Sequence, residues 1–180
     1  MKIAVFSDTH GNLEYLHNAF LHLKDNYSLK TLIHLGDNCQ DLSCLESVQS
    51  DITIYNVHGV FCEHYKKTEG TNRPVISISG IPILLTHTPT KHENDRECDL
   101  DPEEICRIQK VKVILYGHTH IAKIEIKDER LWINPGHLKK EDKKGYPASF
   151  ALLDLSPYKI KSKIISYQTW KEIMSTDYYL

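Results

Sequence analysis

Apolar residues in this chain come in short runs, and five of these runs end in a polar cluster. Lys2 to Phe6 is followed at once by Asp8-Thr9-His10-Gly11, and Leu32-Ile33-His34-Leu35 leads into Gly36-Asp37. Asp51 to Val57 leads into His58-Gly59, Ile81 to Leu85 into Thr86-His87, and Val111 to Tyr116 into Gly117-His118-Thr119-His120. Short apolar runs bounded by turn residues predict buried strands. Leu13, Leu16, Phe20 and Leu23 recur at helical spacing, which predicts a helix over Asn12 to Leu23 with Asn12 as its cap. Leu42 to Val48 predicts a second, short helix. Asp101-Pro102-Glu103-Glu104 predicts a third, running to about Gln109, with an Asp cap, Pro at the first position and acids in the first turn. Beyond His120 the period changes to two, and Ile121 to Lys127, Arg130 to Asn134, Ser149 to Leu155 and Tyr158 to Tyr167 predict meandering antiparallel strands. The chain thus begins as α/β units and finishes as β ribbons. Two mixed sheets packed face to face with helices outside satisfy this order.

Composition narrows the class. The 180 residues are 41% hydrophobic, enough to bury a substantial core within one domain. With no linker or internal repeat, residues 1–180 are expected to form that single domain. A formal net charge of -2 gives no electrostatic footprint for nucleic acid or an anionic membrane. No apolar run approaches the roughly 20 residues needed to span a bilayer. Met1 to Phe6 resembles the start of a signal peptide, but Asp8 and His10 interrupt it, so it is read as the first core strand. Cys39, Cys44, Cys62, Cys98 and Cys106 form no Cys-x-x-Cys pair, consistent with reduced thiols in a cytoplasmic protein.

The polar clusters carry the chemistry. Open α/β sheets place their sites at the carboxyl ends of strands, and all five clusters lie at such ends. Asp8 and His10 are two apart and share a side of an extended turn, as do His118 and His120. An Asp in one such turn is ordinarily a cap, and a lone His is ordinarily hydrogen-bonded. Hard carboxylates and imidazoles recurring in order at five strand ends instead suit Mn, Fe, Ni or Zn. Basic residues flank the rim in two loops, Tyr65-Lys66-Lys67 with Arg73, and Lys91, His92 and Arg96. They either orient phosphate oxygens or form ordinary charged loops. The run Lys139, Lys140, Glu141, Asp142, Lys143, Lys144 reads as a solvated turn.

The ordered set Asp-x-His, Gly-Asp, Gly59 with its neighbours, His87 and Gly-His-x-His is similar to that of the calcineurin-like metallophosphoesterases, in particular their small bacterial and archaeal phosphodiesterase branch. Asn134-Pro135-Gly136 resembles the turn after the last motif, and the similarity covers about Met1 to Leu155. The resemblance implies a two-sheet β-sandwich flanked by helices, in four layers α/β/β/α. It implies two divalent metal ions, manganese first, with Ni, Fe or Zn as alternatives. Asp37 would bridge them; Asp8, His10 and His120 would complete one position, and His87 and His118 would hold the second. Two cations about 3.5–4 Å apart neutralise a phosphodiester's charge and generate a hydroxide nucleophile near neutral pH. The implied activity is hydrolysis of small phosphodiesters.

The third motif departs from the family. Val60 stands where members keep a ligating Asn, and Phe61 where larger members keep a His proposed to protonate the leaving group. The second metal is therefore expected to be held by one ligand fewer, or to borrow one from Asn38, His58, Glu63 or water. In His87-Thr88-Pro89, Pro replaces the second His of the family's His-Gly-His. His58 is the candidate substitute acid, and His137 is a further candidate to face substrate. The retromer scaffold subunit shares the fold and a substituted third motif, so a protein-binding scaffold with a weakened site is the alternative function. The tail from Tyr167 to Leu180, with Trp170, Ile173, Met174, Tyr178 and Tyr179, either contacts a partner protein or packs back on its own domain; a homo-oligomer is a separate candidate.

Overall fold

The computed structural model describes residues 1–67 and 69–180. Alternating side-chain direction along its strands sorts apolar residues between two mixed sheets. The first contains β1 (Lys2–Phe6), β2 (Leu29–His34), β3 (Thr53–Asn56), β9 (Ser149–Ser156), β10 (Lys159–Ser166) and β11 (Glu172–Tyr179), in the order β11-β10-β9-β1-β2-β3. The second contains β4 (Val75–Ile78), β5 (Ile81–Leu85), β6 (Val113–Leu115), β7 (Lys123–Lys127) and β8 (Arg130–Asn134), in the order β4-β5-β6-β8-β7.

Because successive side chains of a strand face opposite ways, β1 serves two cores at once. Ile3 and Val5 join Ile33, Leu85, Leu115 and Ile133 between the sheets. Ala4 and Phe6 face outward and are covered by Leu16, Ala19, Phe20 and Leu23 of α1 (Leu13–Asn26). On the far side, Leu84, Ile114 and Trp132 of the second sheet pack under Ile105 and Cys106 of α3 (Pro102–Ile108). The layers therefore run helix, sheet, sheet, helix, as expected. Each fully buried Leu, Ile or Phe contributes about 1.5–3 kcal/mol relative to exposure. The helix starts follow the sequence: the Asn12 side chain accepts from Tyr15 N, and Asp101 accepts from Glu103 N with Pro102 next.

Strands β1, β2 and β3 are mutually parallel, as are β5, β6 and β8. Parallel neighbours need crossover connections, so within each set the carboxyl ends share one edge. Backbone hydrogen bonds then lace these ends together: Asp8 N donates to Gly36 O (3.0 Å), Gly117 N to His87 O (3.0 Å) and Leu138 N to Asp8 O (3.3 Å).

The structure corrects several local expectations. The Leu42 to Val48 helix is instead a 3₁₀ segment, Cys39–Leu45, whose turns tighten around Asp41. The late strands are not one meander. β7 and β8 form a hairpin in the second sheet, and β8 also pairs in parallel with β6, while β9 crosses to the first sheet and pairs with β1. Short helix α2 (Glu63–Lys67), edge strand β4 and the tail strand β11 were not predicted, since their burial alternation is weak. The tail packs back: β11 pairs with β10, Tyr167 stacks on Tyr15 at 3.9 Å and Trp170 on His22 at 4.4 Å. All five cysteines are free thiols, and among the described residues no helix is long and apolar enough to cross a membrane.

Candidate metal centre

Five of the six residues singled out as ligands sit on left-handed backbone: Asp8 (φ 53), His10 (φ 49), Asp37 (φ 51), His118 (φ 66) and His120 (φ 63). Non-glycine residues in this region cost on the order of 1 kcal/mol or more each and gather at functional sites. The strain turns the side chains abruptly from the strand direction into a common space above the two sheets.

Asp8, His10, Asp37 and His120 bring one ligand atom each to within 4.8 Å of one another. Asp8 is fully buried; its Oδ2 accepts from Ser7 Oγ (2.5 Å) and His118 N (2.9 Å). Its Oδ1 has no hydrogen-bond partner, although His120 Nε2 lies 3.3 Å away and His10 Nε2 4.0 Å. An orphaned buried carboxylate oxygen is costly, and this one faces imidazole nitrogens that themselves approach at 3.3 Å, His10 Nε2 to His120 Nε2. Lone pairs converging on one point are what a cation requires, so the donor set fits a divalent metal.

Asp37 has one oxygen toward each half of the centre. Its Oδ2 lies 3.5 Å from His10 Nε2 and its Oδ1 3.3 Å from His87 Nε2. His87 Nε2 is in turn 3.3 Å from His118 Nδ1. His87 thus stands between Asp37 and His118, beside the four-residue group. Val60 is buried, 2% exposed, and offers nothing to it.

Outer partners set the histidine tautomers. His87 Nδ1 donates to Leu35 O at 2.7 Å, which leaves Nε2 as the lone-pair atom facing Asp37. His120 Nδ1 meets Asp142 Oδ1 at 2.7 Å, which leaves its Nε2 toward Asp8 and His10. Asp142 is a correction to the sequence reading: its side chain is 2% exposed, not part of a solvated turn. Burial alone would raise its pKa, but hydrogen bonds from His120 and the Lys144 and Tyr146 amides hold it down at about 2. Asp8 on one side and Asp142 on the other push the His120 pKa up, while burial pushes those of His10 and His118 down. Burial also raises the Asp8 carboxyl, but His120, His87 and Ser7 outweigh it and the net direction is down.

Asn134 is the strut behind the last motif. Its amide donates to Gly117 O and Thr119 Oγ1, each at 2.9 Å, and accepts from Gly136 N at 2.9 Å. Asp41 plays the same part for the first, its Oδ2 taking Thr9 Oγ1 and Gly11 N at 2.7 Å each. His137 is buried with both nitrogens occupied, by Tyr146 O and Lys139 N, and its ring lies 5.3 Å from that of His120. It packs beside His120, and neither of its nitrogens is left open.

The remaining candidates meet other partners or line the space beside the centre. His58 Nδ1 is 3.3 Å from Cys39 Sγ and its ring 5.7 Å from His64. Glu63 is exposed and pairs with Lys67. Asn38 lines a cleft of about 290 Å³ beside the centre, with His10, Asp37, Gln40, Phe61 and Cys62. Arg73 is buried, 2% exposed, in a bond with Asp95, so it is not a rim cation.

The model of the calcineurin-like phosphoesterase superfamily domain matches residues 1–157. A phosphodiesterase of Methanocaldococcus jannaschii is 27% identical over 147 residues, 76% of this chain and 83% of the relative. The E. coli phosphoesterase Yfce superposes with a TM-score of 0.69 at 19% identity, covering 98% of each chain. Vps29 from Entamoeba histolytica, in complex with zinc, superposes with a TM-score of 0.70 at 20% identity, covering 99% of each.

Proposed function

Because the chain belongs to the calcineurin-like phosphoesterase superfamily, we propose that it is a metal-dependent phosphodiesterase acting on small phosphodiesters. The observation that carries this reading is the buried, unpartnered Asp8 Oδ1 facing His120 Nε2 at 3.3 Å. Asp8, His10, Asp37 and His120 would hold one cation, and Asp37, His87 and His118 the other, with manganese the first choice. Divalent cations bound there would supply neutralisation of the diester's charge and activation of a water as nucleophile.

The chain's own residues do the rest. Leu35 O and Asp142 each take the Nδ1 side of a ring, of His87 and His120 respectively, and so aim the Nε2 atoms inward. Asp37, between the halves, keeps both donor groups in one register. The adjoining cleft of about 290 Å³ admits a small ester. The second group has one donor fewer because of Val60, so its cation binds more weakly than the first.

A protein-binding scaffold is the second reading, favoured by Phe61, which is 71% exposed on the rim. Hydrolysis of bis(p-nitrophenyl) phosphate by metal-stripped protein, titrated with manganese beside an Asp37→Asn control, separates the two. Saturable turnover lost in the control supports the enzyme. No turnover at any manganese concentration leaves the scaffold.

A further inference from the structure

One wall of the centre is built by residues outside both donor groups. The Phe61 ring stands edge-on to His92, centroids 5.7 Å apart, and lies 6.3 Å from His118. His92 meets His118 at 5.4 Å with the rings at 78°. An imidazole thus sits directly against a residue of the second donor group, from a loop that the ordered motifs do not include.

That loop is anchored more firmly than a surface turn needs. His92 N donates to Asp95 Oδ2 at 2.8 Å, and Asp95 N returns a bond to His92 O at 2.9 Å. The same Asp95 carboxylate takes the Arg73 guanidinium at 2.7 Å and the Tyr65 hydroxyl at 2.5 Å. The Arg73 and Asp95 side chains are 1% and 0% exposed. A buried ion pair therefore fixes the backbone on which a half-buried histidine is presented to the site.

The ring is also fixed chemically. Asn94 N donates to His92 Nδ1 at 3.1 Å, so Nδ1 is an acceptor. A neutral imidazole carries one N–H, which must then be on Nε2, on the far side of the ring from the loop's own amide. Among the described residues nothing accepts that hydrogen.

We propose that His92 is a catalytic residue of this site, its Nε2–H donating a hydrogen bond to the leaving-group oxygen of the phosphodiester while Phe61 walls the organic part of that group. The inference rests on the phosphodiesterase reading above. A neutral imidazole aimed at a developing alkoxide stabilises it without carrying a charge of its own. No proton transfer is required of it, and the bonds made and broken at phosphorus are those of ordinary hydrolysis.

The test compares His92→Phe, which keeps a ring against Phe61 and His118 and leaves the Asp95 backbone bonds in place, with His92→Gln, which returns an amide N–H. Substrates are aryl phosphodiesters graded from p-nitrophenyl to unsubstituted phenyl. The Phe variant is expected to lose a few-fold on the best leaving group and roughly 10²-fold on the poorest, with Gln recovering part of the loss. A loss that is uniform across the series overturns the assignment while wild-type turnover keeps the phosphodiesterase reading intact. A readout independent of turnover is the ¹⁵N spectrum of the zinc-loaded protein. The proposal expects His92 as the Nε2–H tautomer with its proton shifting on addition of inorganic phosphate. The Nδ1–H tautomer, or no response to phosphate, overturns it even if no ester is turned over.

Discussion

Gly59 approaches Asp37 so closely that a Cβ on it would stand 1.8 Å from the carboxylate oxygen Oδ1 and 2.7 Å from the Asp37 amide nitrogen. The amide belongs to the backbone, so no rotamer of Asp37 relieves the clash, and the Asp37 backbone and carboxylate must move together. Gly59→Ala is therefore expected to lower activity by roughly 10²-fold, the scale of a displacement near 1 Å. Manganese-dependent rates beside a circular dichroism spectrum check this; unchanged turnover would remove Asp37 from the centre.

Asp142 touches no substrate and no donor atom; it orients His120. Asp142→Asn is expected to weaken metal affinity or activity by about 10- to 100-fold, with the secondary structure unchanged. The midpoint of a manganese titration reads it, and excess metal should restore part of the rate.

Metal binding should stabilise the fold, because it occupies the orphaned Asp8 Oδ1. At manganese 100-fold above its Kd the gain is about 2.7 kcal/mol, a rise in Tm on the order of 5–10 °C for a chain this long. Differential scanning calorimetry with and without chelator measures it, and Asp37→Asn should abolish most of the rise.

His34 is wholly buried beneath the first motif, and burial depresses its pKa to about 4. Its Nδ1 accepts from Gly36 N at 3.3 Å. A depressed histidine binds protons first in the unfolded chain, so its contribution is complete above pH ~6.5 and is lost as pH falls toward 4. The loss amounts to on the order of 3 kcal/mol. His120, whose pKa is raised, works in the opposite direction, so the net slope of the wild type is smaller. Urea unfolding in chelator from pH 7 to 4 should show a flatter dependence for His34→Gln; an unaltered slope would show that His34 binds protons alike in the folded and unfolded chain. Asp142, at about 2, acts in a window below this one.

Arg73 and Asp95 form a pair with both side chains essentially inaccessible. Removing one partner leaves the other buried and uncompensated, so Asp95→Leu or Arg73→Met alone is expected to destabilise by about 3–5 kcal/mol. The double variant Arg73→Met with Asp95→Leu should lose less than either single change. Chemical denaturation of the four proteins decides it by a double-mutant cycle.

Much of this protein is legible along the chain. Strands β1, β5 and β8 fall where their apolar runs do, the caps of α1 and α3 are visible as Asn12 and Asp101, and Asp8, His10, Asp37 and His120, which the fold brings together, all follow strand ends. The reason is local: side-chain period, cap chemistry and turn residues act over a few positions. The departures have local causes too, since β4 and β11 lie at sheet edges where burial alternation fades.

What tertiary structure alone decided is what lies behind and beside those donors. Asp142 is hidden in a run of lysines, and only the fold carries it 22 residues back to His120. Arg73 and His92 read alike as rim residues of two charged loops, yet the first is buried against Asp95 and the second stands against His118. Hydrogen bonds and ion pairs between distant segments depend on the close approach of backbones, and no periodicity along the chain encodes that distance.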